Sequence, residues 1–95
     1  MVDNNIIPLP STLMKNSFRY DLVYEGKRSF LYRQTVTEKT PAYEVFLKII
    51  RPEKIIKGKV LPPKVKFPSD EDFGKTAWSY TNYDAAVDRF KELER

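Results

Sequence analysis

Gly74-Lys75-Thr76-Ala77-Trp78-Ser79-Tyr80-Thr81-Asn82 leads into Tyr83-Asp84-Ala85-Ala86-Val87-Asp88-Arg89-Phe90-Lys91-Glu92-Leu93-Glu94-Arg95, and this stretch decides the fold. Tyr83, Ala86, Val87, Phe90 and Leu93 recur at three- and four-residue steps, which predicts a helix with one apolar stripe. Asn82 suits the N-cap, because its side chain accepts a bond from a first-turn amide. Asp84 suits the positive end of the helix dipole. Asp84, Asp88, Lys91, Glu92 and Arg95 share the opposite, charged face. A helix of about a dozen residues is marginal alone in water. Burying Val87, Phe90 and Leu93 contributes roughly 5–9 kcal/mol as an upper estimate. The helix therefore needs a platform, and Thr76 to Tyr80 reads as that platform's last strand.

Working outward, the platform is a sheet. Phe18, Tyr20, Leu22 and Tyr24 fall at every second position, so Phe18 to Tyr24 reads as a strand. Glu25-Gly26-Lys27-Arg28 is a turn, and Ser29 to Val36 returns. An odd-length loop pairs Tyr24 with Phe30, Leu22 with Tyr32, Phe18 with Val36 and Asp21 with Arg33. An even loop would set Tyr20 against Arg33 and mix apolar with polar, so the odd register is expected. Thr37 to Pro41 is a polar connection. Ala42 to Ile50 carries apolar residues in both rows, the pattern of a strand covered on both sides or near the sheet centre. The helix-side face is then expected to hold Phe18, Tyr20, Leu22, Tyr24, Phe30, Tyr32, Val45 and Leu47. The far face holds Arg19, Asp21, Val23, Leu31, Arg33, Glu44, Phe46 and Lys48.

The expected fold is thus α+β: a mainly antiparallel sheet of four to five strands with one C-terminal amphipathic helix on one face. Residues 1–17 read as an extended N-terminal arm, because Pro8 and Pro10 interrupt Ile6, Ile7 and Leu9. Residues 18–95 read as a single domain, with 51–75 a long basic loop. Within it, Ile55-Ile56, Val60-Leu61 and Val65-Lys66-Phe67 are short enough for brief edge pairings. Ser69-Asp70-Glu71-Asp72 resembles a capping box that opens one helical turn, closed by Gly74.

Composition narrows the chemistry. The 95 residues include no Cys and no His. That removes thiolate nucleophiles, disulfides, the commonest general base and the commonest metal ligand. No cofactor and no metal site are expected, and a small enzyme is the least favoured class. The formal net charge is +4 and is unevenly spread, with Arg51, Lys54, Lys57, Lys59, Lys64 and Lys66 against Glu53 alone in residues 51–67. No apolar run reaches membrane-spanning length and the N-terminus lacks a signal-peptide order, so no membrane partner and a cytoplasmic location are expected.

Three groups of residues invite a functional reading. The basic loop (Arg51, Lys54, Lys57, Lys59, Lys64, Lys66) can line a phosphate backbone, or simply be solvated. Arg19, Arg33 and Lys48 around Phe46 and Leu31 can hold single-stranded nucleic acid on the far face, or that face is covered by the arm or by a second copy in a homodimer. Asp70-Glu71-Asp72 can bind a hard cation, or serve as an acidic helix start. Gly58 and Gly74 each stand alone and make no phosphate loop. Trp78 is a stacking residue or, more ordinarily for its place, core.

Tyr43-Glu44-Val45-Phe46, Pro68-Ser69-Asp70-Glu71-Asp72-Phe73-Gly74-Lys75 and Ala77-Trp78 together resemble a recurrent group of small proteins encoded by bacterial phages and mobile elements, over about Phe18 to Leu93. The resemblance implies a bacterial setting and no mechanism. In architecture alone, four strands followed by a helix is similar to the repeating unit of dimeric single-strand binders of the Pur type, an analogy of fold that fixes no function. The expected function is a non-enzymatic module binding nucleic acid through the basic loop and sheet face. The alternative is an inhibitor or adaptor that engages a bacterial host protein through a strand edge or the arm.

Overall fold

The computed structural model describes residues 6–35 and 40–95. A five-stranded antiparallel sheet forms the platform; its strands, in spatial order, are β1 (Thr12–Lys15), β2 (Phe18–Glu25), β3 (Ser29–Thr35), β4 (Pro41–Leu47) and β9 (Ala77–Tyr80). Helix α1 (Tyr83–Glu94) packs on one face. The protein is α+β, as the periodicities predict. Asn82 caps α1 by accepting from the Ala85 amide at 3.0 Å. At the other end, the Glu94 carboxylate accepts the Lys27 amide, the Arg28 amide and the Ser29 hydroxyl at 2.8, 2.9 and 2.7 Å. This pins the helix end over the β2–β3 turn.

On β2 and β3 the helix lies on the opposite face from the expected one, whereas on β4 Val45 faces the helix and Phe46 faces away, as expected. It covers Leu31 and Val45, with Val23, Tyr43 and Tyr80 around them. The expected helix-side residues Phe18, Tyr20, Leu22, Phe30 and Tyr32 lie on the other side, together with Phe46. The β3–β4 register explains the reversal. Phe30 faces Phe46, Leu31 faces Val45, and Tyr32 faces Glu44. One residue of register moves every side chain across the sheet. Side-chain size fits the outcome: Ala86, fully buried, lets α1 approach the aliphatic row of Leu31 and Val45. Tyr24 still reaches the helix and stacks on Phe90 at 5.7 Å, because a bulge at Val23 shifts its pairing to Leu31. Leu22↔Tyr32 and Asp21↔Arg33 match the odd register; Tyr24↔Phe30 does not, and the Phe18–Val36 pairing falls outside the described residues.

The aromatic face is covered by the N-terminal segment and by the stretch that follows strand β8 (Lys64–Val65). Phe67 meets Tyr20, Tyr32 and Phe46 edge-on, at 4.9, 5.7 and 5.2 Å. Ile7 donates to Pro63 and accepts from the Val65 amide, both at 2.9 Å, and Tyr32 donates its hydroxyl to Pro10 at 2.8 Å. The N-terminal arm therefore ends earlier than residue 17. Thr12–Lys15 is the edge strand β1, joined to β2 by Asn16-Ser17, both at positive φ (54° and 70°). A two-residue turn of that kind matches the twist of a hairpin.

Residues 51–75 are likewise not a loop. Strands β5 (Ile50–Arg51) and β8 (Lys64–Val65) pair, as do β6 (Lys54–Ile56) and β7 (Lys59–Leu61). The register is continuous between the two ladders: the step from Arg51 to Lys54 on one strand equals that from Leu61 to Lys64 on the other. This is one long hairpin, interrupted where Pro52, Pro62 and Pro63 supply no amide donors. A 3₁₀ turn (Asp70–Asp72) follows, closed by Gly74 at φ 90°. Asp72 accepts from the Ser69 amide and hydroxyl at 2.9 and 3.2 Å. Those bonds and Lys66 hold its carboxyl below the usual range. The acidic run acts as a turn start, and among the described residues no group of acids is gathered to hold a metal ion.

Candidate functional site

The outer half of the hairpin, β6 and β7, projects from the domain as an arm. Residues 52–60 are all exposed. Lys57 and Gly58 form its tip, with φ of 52° and 78°, the same two-residue turn as Asn16-Ser17. The ribbon has two faces. Lys54↔Leu61 and Ile56↔Lys59 lie on one, and Ile55↔Val60 on the other. Ile55 and Val60 are 67% and 56% exposed, so the arm presents an apolar pair to water beside its lysines. Among the described residues, Lys54, Lys57, Lys59 and Lys64 have no ion-pair partner.

Arg51, Lys64 and Lys66 sit at the root. Arg51 and Lys64 face one another across the β5–β8 ladder. Arg51 donates Nη2 to the Pro62 carbonyl at 2.8 Å, and Lys66 pairs with Asp72 at 3.1 Å. All six basic residues expected between 51 and 67 therefore belong to one continuous hairpin and its exit.

Arg19, Arg33 and Lys48 do not form one site. Arg19 and Arg33 are exposed on the helix side of the sheet, at the end α1 does not cover, and Arg19 pairs with Asp21 at 3.2 Å. Lys48 lies on the other side, 5.1 Å from the Phe30 ring centroid and paired with Glu25 at 3.1 Å. Phe46 and Leu31, the residues around which bases were expected to stack, are 2% and 0% exposed and point to opposite faces. The open far face is thus replaced by two covered ones. Trp78 lies on the helix side, where Arg89 covers its ring at 4.7 Å and donates Nε to Tyr80 at 2.9 Å.

Two residues gained importance in three dimensions. Lys15, in the edge strand, reaches the hairpin root and donates to the Pro68 carbonyl at 2.5 Å. The signal for it was Asn16-Ser17 between alternating residues, a short hairpin turn. Glu44 lies on the aromatic face at 7% exposure, where burial pushes its carboxyl up to about 7 against the pull of Lys15. Burial likewise pushes Tyr32 up to about 12. No described helix is long and apolar enough to cross a membrane. No protein-family model, curated protein or solved structure matches the chain.

Proposed function

We propose that this protein is a non-enzymatic nucleic-acid-binding module whose contact element is the β6–β7 arm. The observation that carries the reading is the exposed ribbon itself, with Lys54, Lys57 and Lys59 free of ion-pair partners among the described residues and Ile55 and Val60 turned to water. A two-stranded ribbon fits the major groove of duplex DNA. A ribbon entering the minor groove instead can insert an apolar side chain such as Ile55 as a wedge between base steps. The root cations Arg51, Lys64 and Lys66 extend the track toward the domain. Its setting, on this reading, is the bacterial cytoplasm.

The test is fluorescence anisotropy with single- and double-stranded oligonucleotides over a salt series. Binding should fall steeply with salt, and replacing Lys54, Lys57 and Lys59 together by Gln should lower the log–log slope by roughly two to three units. Absence of binding to either form at low salt would retire the reading. A second reading, a host-protein adaptor, is favoured by the unpaired strand edges and aliphatic tip of the same arm. It predicts a nuclease-resistant partner lost on Ile55→Ser with Val60→Ser and retained when the three lysines are replaced.

A further inference from the structure

We propose that the depression at the hairpin root is a phosphate-binding pocket. It encloses about 220 Å³ and is lined by Lys15, Arg51, Lys64, Lys66 and Phe67. Three separate parts of the chain build it. Lys15 comes from the end of β1, Arg51 and Lys64 from facing positions of β5 and β8, and Lys66 and Phe67 from the exit of the hairpin. Gathering four cations raises their mutual repulsion. Among the described residues only Asp72 answers them with a direct ion pair, and it answers Lys66. Lys64 has no such partner.

Arg51 is the more telling residue. Its Nη2 is held by Pro62, yet its Nε is shielded from solvent with no hydrogen-bond acceptor. It is the one such side-chain atom among the described residues. A buried donor left unsatisfied is costly, and most native structures avoid it. Nη1, the fork atom with no hydrogen bond among the described residues, is the one a phosphate oxygen in the pocket meets first; Nε, closed to solvent, gains an acceptor only as the side chain shifts to admit the anion.

Size and walls narrow the ligand. The volume falls below the roughly 300–1,000 Å³ of pockets that enclose whole small molecules, so it takes a group rather than a complete nucleotide. The Phe67 ring is already committed, to Lys15 at 5.1 Å and to the core aromatics. It is not free to stack on a base. The pocket therefore holds phosphate irrespective of sequence, and positions the strand along which the arm lies. This deepens the nucleic-acid reading and rests on it for the source of the phosphate.

The pocket is tested on the intact protein by ¹⁵N NMR titration with inorganic phosphate against a chloride control. We expect a saturable shift at the Arg51 Nε–H and at the amides of Lys64 and Lys66. Lys64→Gln should weaken it about tenfold, while Lys54→Gln leaves it unchanged. The Lys64 side chain makes no hydrogen bond or ion pair among the described residues, so Lys64→Gln should melt like the parent. Arg51→Lys, which removes the fork but keeps the charge, is the second variant and should weaken phosphate as well. A strand with a 5′-phosphate binding more tightly than its 5′-hydroxyl counterpart would assign the pocket to strand ends. Equal binding, weakened by Lys64→Gln for both, would assign it to internal phosphodiesters. No saturable shift, or one indifferent to both variants, overturns the pocket even if oligonucleotides bind the arm. Phosphate binding without oligonucleotide binding retires the nucleic-acid reading and keeps the pocket as a small-anion site.

Discussion

The chain makes the same tight turn twice and uses it for opposite ends. Asn16-Ser17 joins β1 to β2, and Lys57-Gly58 joins β6 to β7, each with both residues at positive φ. The first hairpin is absorbed: Tyr20 is 4% exposed, and Leu13 packs beside it against the aromatic core. The second is left in solvent although its strands carry Ile55, Ile56 and Val60. Local pairing is equivalent in the two, so what differs is whether a third layer is available. An isolated two-stranded ribbon is marginal in water. The arm's persistence owes more to its tethered root than to its own contacts.

The comparison predicts unequal costs of mutation. Tyr20→Ala should destabilise by about 3–5 kcal/mol, since it empties a sealed site bounded by Phe67 and Gln34. Ile55→Ser with Val60→Ser should move global stability by no more than about 0.5 kcal/mol, because both side chains are more than half exposed. Urea unfolding followed by Trp78 fluorescence compares the two. Equal losses would mean that the arm is folded onto the domain in solution.

A buried carboxyl marks the covered region in a second way. Glu44 has a folded value of about 7 against an ordinary 4.5. Its folded form therefore binds the proton more tightly than the unfolded chain does. That contribution is complete below pH 4.5 and is lost as pH rises to about 7, on the order of 2–3 kcal/mol. Asp72 and Glu94 run the other way, since their carboxyls are held low by hydrogen bonds, and they lose their contribution as pH falls. Subtracting the profile of Glu44→Gln from that of the parent isolates the first effect. The parent should lose ground to the variant between pH 4.5 and 7, and parallel profiles would refute the assignment.

These residues also show how far the sequence carries. Helix α1 was legible because its stripe, cap and length agree, and the β2–β3 register followed from Leu22 and Asp21. The face that α1 covers was not legible. It depends on how β4 docks on β3, and Phe46 and Val45 are both apolar, so hydrophobicity alone leaves the choice open. The six root and arm cations were found by charge. Their hairpin was obscured because Pro52, Pro62 and Pro63 read as loop, whereas they only interrupt a ladder whose register continues beyond them. Lys15 was hidden by Asn16-Ser17, which resembles disorder until the alternation of Leu13 and Lys15 is set against Phe18 and Tyr20.

The smallest effect separates the hairpins most cleanly. Ser17 and Gly58 occupy the same second position of the two turns, at φ 70° and 78°. A left-handed conformation costs a side-chain-bearing residue roughly 1–2 kcal/mol, and glycine escapes it at some cost in chain entropy. Ser17→Gly should therefore raise global stability by about 0.5–1 kcal/mol, because β1–β2 unfolds with the core. Gly58→Ser carries a similar local penalty, with no atom within 4 Å to clash. The arm opens without the core, so that penalty should leave the melting temperature in place and appear instead as faster amide exchange at Ile56 and Lys59. If Gly58→Ser lowered the melting temperature as much as Ser17→Gly raised it, the arm and the sheet would be one cooperative unit. The arm would then be part of the core's folding and not an independent contact element.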